Sequence, residues 1–238
     1  MPLYTSGPTY DRNVSKQRKL QKICKRLSVL SVITAIWVAM VPAPYELAIY
    51  TNIIIPLMAL LIARLYNKYC RIDTQLSLNT PTVYYIILLP SLGLTIRSIK
   101  EYDLLNYFMT LPYIFGFTIL LLCILLIGNR EYKFQPSTVY LNVILSYLFL
   151  LGYSYGTITS LNILLDNSIP QVFHPTILSK DFGSAKTSPK LMLSAWGPKT
   201  EENSITISRK RFRDSEEQEK VTLYYFTGRF KIPWYILE

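Results

Sequence analysis

His174 is the only histidine in the chain of 238 residues. Histidine general bases, serine–histidine triads and multi-histidine metal sites would all have to run through it. It lies directly before Pro175 in a strand-like run, with no acid or thiol beside it, so a structural role is expected. The three cysteines, Cys24, Cys70 and Cys123, show no CxxC spacing and supply neither a zinc signature nor a disulfide framework. Cys24 and Cys70 fall in basic segments flanking apolar runs. Cys123 lies inside such a run, where a buried small hydrophobe is expected. An HExxH motif is also absent. No catalytic residue, cofactor site or metal site is expected, and the reading leans away from an enzyme.

A second group of residues could serve transport instead. Asn52, Asn106, Asn142 and Asn162 lie in apolar segments together with Pro56, Pro90 and Pro112. Amides could line a polar path, and prolines mark the broken helices of some transporters. The alternative use is local: amides bond across helices, and proline is common in spanning helices. No inverted internal repeat accompanies them. A small transporter or channel subunit is therefore the second reading.

The elements that would position these groups follow from composition. Half of the residues are hydrophobic, 17% are charged, and mean hydropathy is +0.24. A soluble domain carries about 25% charged residues, so this balance points to the membrane class. Segments 27–43, 47–63, 76–96, 104–129 and 134–165 contain no Asp, Glu, Lys, Arg or His. About 20 apolar residues cross a bilayer, which predicts spans near 27–45, 47–63, 78–96, 104–128 and 138–165. The third has the weakest basis, because Pro90 interrupts it and its strongly apolar part is only 83–96. Four spans and five both remain open. Asp103 is placed as an N-cap leading into the fourth span. Ionisable groups inside membranes mark proton relays and ion paths, and none stands in these segments.

Lys and Arg in short loops set the orientation. The tail, residues 1–26, carries seven: Arg12, Lys16, Arg18, Lys19, Lys22, Lys25 and Arg26. With the N-terminus cytoplasmic, five spans put Arg64, Lys68, Arg71, Arg130 and Lys133 on its side and Arg97 and Lys100 opposite. Four spans bring Arg97 and Lys100 inside and leave Arg130 and Lys133 outside, so the split is twelve to two either way. The six from Lys16 to Arg26 are candidate ligands for anionic lipid headgroups. A second basic run, Arg209–Arg213 (RKRFR), precedes Glu216, Glu217 and Glu219 and reads as a solvated hairpin rather than a nucleic-acid patch. No nucleic-acid partner is expected. Small residues at four-residue spacing, Ser31, Ala35 and Ala39 on the first span and Gly152, Gly156 and Ser160 on the last, predict close helix packing.

After residue 165 the balance becomes that of a soluble domain. Segments 171–178, 190–196, 204–208, 221–226 and 230–236 alternate like strands between turn-rich stretches, one of them DFGSAKTSP (181–189). The expected fold is a membrane α-helical bundle of about five transmembrane helices plus a small C-terminal antiparallel β domain, residues 166–238. Tyr224, Tyr225, Phe226, Phe230, Trp234 and Tyr235 serve either the core of that sheet or a ligand platform, and Trp234 and Tyr235 could instead sit at headgroup level.

Residues 162–170 (NILLDNSIP) lead from the last span into a strand, and Lys180 opens a Ser/Thr-rich turn. Trp196-Gly197-Pro198, Gly228 and Ile232-Pro233-Trp234-Tyr235 follow. This resembles a group of uncharacterised bacterial polytopic membrane proteins that end in a small β domain. The resemblance covers about residues 153–238 and implies a bacterial inner membrane with no established activity. The function expected is non-enzymatic binding or assembly through the β domain. The partners are the lipid bilayer and either another copy or another membrane protein.

Overall fold

The structure, a computed structural model, describes residues 8–67, 69–70, 82–127, 137–182 and 188–238. Residues 76–81, Lys68, Arg71, Arg130, Lys133 and 183–187 lie outside the described residues. So do the side chains of Arg12 and Asn142. The chain divides into two units, one of residues 1–101 and 108–164, the other of residues 102–107 and 165–238.

The first unit is a bundle of five helices: α1 Pro8–Met40, α2 Tyr45–Leu65, α3 Tyr84–Glu101, α4 Leu111–Leu126 and α5 Ser137–Leu164. Segments Val14–Met40, Tyr45–Leu65, Tyr107–Leu126 and Val143–Leu164 are long and apolar enough to cross a membrane. α3 is not among these four, because its 18 residues include Arg97, Lys100 and Glu101. It nevertheless packs against α1, α2 and α5. At 1.5 Å per residue it is about 27 Å long. Tyr84 meets Phe149 at its start, and Ser98 meets Gly156 and Ser160 at its end, so α3 runs parallel to α5. Tyr45 donates to Glu101 at 2.8 Å, which brings the start of α2 to the end of α3. Arg64 donates to the Ile127 carbonyl at the opposite end.

The bundle is apolar outside and partly polar inside. Val29, Val32, Ile33, Ile36, Ile54, Met58, Leu61, Ile119, Leu120, Ile144 and Leu148 are exposed. Ser31, Thr34, Asn52, Ser91, Ser98, Thr118, Ser154, Thr159, Ser160 and Asn162 are buried. Water would reward the reverse arrangement, whereas hydrocarbon does not penalise an apolar exterior. Cys123, expected to be buried, belongs to this exterior. A thiol is apolar enough to stand among Leu120 and Ile124 on a surface of that kind.

The second unit holds two antiparallel sheets. Strands β1 Asp103–Leu104, β2 Gln171–Phe173, β6 Leu223–Phe226 and β7 Trp234–Leu237 form one, in the order β1-β7-β6-β2. Strands β3 Ile177–Asp181, β4 Lys190–Leu193 and β5 Asn203–Thr206 form the other. Ile177, Leu191, Leu193, Trp196, Ile205, Val221, Leu223 and Leu237 share one core.

Four local expectations change. Asp103 caps no helix: it pairs with Tyr235, and the Leu105 amide donates to Pro233 O at 2.9 Å. α4 starts only after a 3-10 turn, Tyr107–Thr110, with Pro112 in its first turn, where a missing N–H costs no helical bond. The run 171–178 is two strands, because Pro175 cannot donate to a ladder and the chain changes sheets there. The run 209–213 lies in a short helix, α6 Arg209–Asp214, rather than a hairpin. The Ser208 hydroxyl caps it by accepting from Arg211 N at 3.2 Å, and Phe212 packs on the core.

Candidate functional site

The small-residue stripes meet at α3. A Cβ on Gly156 would lie 2.8 Å from Leu94 Cβ and 2.9 Å from the Leu94 carbonyl carbon. The Thr95 hydroxyl reaches Gly152 O at 2.9 Å and Ser91 O at 2.8 Å. Ser98 donates to Gly156 O at 3.3 Å and lies 3.4 Å from the Ser160 hydroxyl. On the other side of α3, a Cβ on Gly93 would come within 3.0 Å of Ala35 O and 2.8 Å of Val38 Cγ1. Ser31 is buried and its hydroxyl returns to the Leu27 carbonyl at 2.5 Å, while Ala39 is half-buried. Gly93 was not singled out in the sequence. Its signal is a small residue between Leu92 and Leu94, on the helix that both stripes approach.

Among the amides, Asn52 is buried and donates to Thr34 O at 3.0 Å and Ala48 O at 2.8 Å, which ties α2 to α1. Asn162 is buried and Asn106 exposed. Pro56 and Pro90 are buried inside α2 and α3. Tyr153 donates to Ile53 O at 2.6 Å, and the Thr118 and Ser154 hydroxyls bond at 2.9 Å. A cavity of about 20 Å³ between α3, α4 and α5 is lined by residues that include Tyr84, Ser146 and Phe149. That is room for about one water.

α1 continues unbroken through the basic tail. Lys16, Arg18, Lys19, Lys22, Lys25 and Arg26 are all exposed, whereas Leu20 and Cys24 are buried. The two sets separate because Leu20, Cys24, Leu27 and Ser31 recur at the helical repeat and turn one face inward. An open hollow of about 400 Å³ lies beside Arg18, Lys19 and Lys22. Cys24 and Cys70 are buried, and their thiols are hydrogen-bonded to each other. His174 is exposed. Among the described residues, no group of three or more His, Cys, Asp or Glu could hold a metal ion.

The most connected polar residue of the β unit is Asp166, two positions beyond α5. Its Oδ1 accepts from Ser168 N at 2.9 Å; its Oδ2 accepts from Gly228 N at 3.0 Å and Trp234 Nε1 at 2.8 Å. Ser168 Oγ accepts from Thr227 N at 3.3 Å. Burial works against its ionisation, but these donors outweigh it and hold the carboxyl below the ordinary carboxylate range. Sequence reading placed a cap and turn here and missed the reach to residues 227–234, which only the fold supplies.

Strand register divides the aromatics between two faces. Phe173, Leu223, Tyr225, Tyr235 and Leu237 point into the core. The opposite face carries the row Val172, Tyr224 and Ile236, then Phe226 stacked on Trp234 at 4.3 Å between centroids. Val172 is 48% and Ile236 43% exposed.

No family model matches the chain, and no curated protein or solved structure is similar to it. What the fold defines is a helical bundle, four of whose helices are long and apolar enough to cross a membrane, with an antiparallel C-terminal β unit.

Proposed function

We propose that the chain is a multi-pass protein of a bacterial inner membrane, with five spans and a cytoplasmic basic tail, and that it acts without catalysis as a binding or assembly protein through its β unit. The observation that carries this reading is the open outer face of the sheet. Val172, Tyr224 and Ile236 form an apolar row across three strands, while the other face of the same sheet is packed on its own core. An apolar row of this kind fits an apolar protein surface, on a second copy or on another membrane protein. Five spans are supported by α3, which lies parallel to α5 and packs against three other helices. α3 and α5 both end at the side away from the basic tail, which favours an extracytoplasmic β unit. Binding is favoured over transport because the buried Asn52, Ser98, Thr118 and Tyr153 and the half-buried Thr95 are engaged in bonds between helices.

The test is photo-crosslinking in cells, with benzoylphenylalanine at Val172, at Ile236 and, as a control, at exposed Ser204 on the other sheet. The reading expects one discrete adduct from the first two positions, lost in Tyr224→Asp, and none from the third. Equal or absent adducts at all three positions would refute it.

A further inference from the structure

We propose that the end of the four-stranded sheet built around Asp166 is a membrane-surface foot, in which Ile169, the Phe226–Trp234 stack, Arg229 and Lys231 seat in the headgroup layer of an anionic phospholipid leaflet. The inference rests on the reading of the bundle as membrane-spanning.

Covalent reach sets the depth. Asp166 follows the end of α5 by two residues, and a chain extends at most about 3.6 Å per residue, so its Cα lies within roughly 7 Å of that end. Gly228 and Trp234 both donate to its Oδ2, and Thr227 donates to Ser168, so the β6–β7 turn is held at the same level. The composition of this level suits the interface. Ile169 is 89% exposed, more than any other large hydrophobic among the described residues. Water makes that exposure costly, and the acyl boundary relieves it. Arg229 and Lys231 are exposed on either side of half-buried Phe230, where an anionic leaflet attracts cations. The negative charge within the foot, on Asp166, is already taken up by three N–H donors. Tryptophan on a polar tether is a side chain enriched at headgroup depth.

The test uses the full chain in phosphatidylcholine vesicles, with and without phosphatidylglycerol. A nitroxide is attached at Ile169→Cys in a Cys123→Ala background, where Cys24 and Cys70 are buried. Matching labels go at Ile36→Cys in α1 and at Ser204→Cys. Power saturation then compares collisions with oxygen and with a water-soluble nickel chelate. With phosphatidylglycerol present, the Ile169 label should favour oxygen over nickel, and Arg229→Gln/Lys231→Gln should abolish that preference. A nickel-accessible label indistinguishable from the one at Ser204 would overturn the foot. A label shielded from both reagents, as under a protein, would overturn it too. If the Ile36 label is also nickel-accessible, the membrane-spanning reading has failed as well.

Discussion

The indole N–H of Trp234 donates to Asp166 Oδ2 at 2.8 Å, joining the last strand to the segment that leaves α5. The same oxygen accepts from Gly228 N, so one carboxylate holds three segments of the β unit together. Asp166→Asn keeps the shape but loses the charge and one of the two accepting oxygens. It should destabilise the β unit by about 1–2 kcal/mol at neutral pH, as expected for charge-assisted bonds. Hydrogen exchange at the amides of Gly228 and Trp234 would measure it.

The pH dependence follows from the same bonds. The folded carboxyl titrates below its unfolded value of about 3.9, so its contribution is complete above that pH and disappears as pH falls through the folded value. Wild-type protein should lose protection at Gly228 in acid. Asp166→Asn should change little over that window, and the two should converge at its lower end.

A glycine series separates packing from composition. Gly156→Ala sets a methyl against the Leu94 backbone and should cost roughly 1–3 kcal/mol. Gly152→Ala meets only the Thr95 hydroxyl, at 3.1 Å, and should cost less. Gly116→Ala meets nothing within 4 Å and should be neutral or slightly stabilising. Thermal unfolding in one detergent would rank the three. Equal losses at Gly156 and Gly116 would argue against α3 and α5 in contact.

Asn52→Leu removes the bond from α2 to Thr34 O and should cost about 1 kcal/mol, in line with polar bonds between membrane helices. If the amide instead lines a solute path, stability should hold.

The four helices long and apolar enough to cross a membrane were legible in sequence, because long runs without ionisable groups stand out from the composition of a soluble domain. α3 was the least legible helix of the bundle: Pro90 and three charges weaken its signal, although both small-residue stripes converge on it. β1 could not be read at all. Two residues between helices acquire strand character only by pairing with Trp234 and Tyr235, some 130 positions away. α6 was misread because RKRFRD lacks an apolar period, and Ser208 was not weighed as its cap. The packing glycines of α5 were visible from spacing, but Gly93 was not, since its partners are on α1. Asp166 was visible as a turn residue, yet its donors at Gly228 and Trp234 follow from the fold and not from local pattern.

If five helices cross the membrane, the β unit lies on the side away from the basic tail. Fusing alkaline phosphatase or green fluorescent protein after Glu238 tests it most directly. Five spans should give an active phosphatase and a dark fluorescent protein. A fluorescent fusion with inactive phosphatase would place the C-terminus in the cytoplasm and contradict both the span count and the position of the β unit.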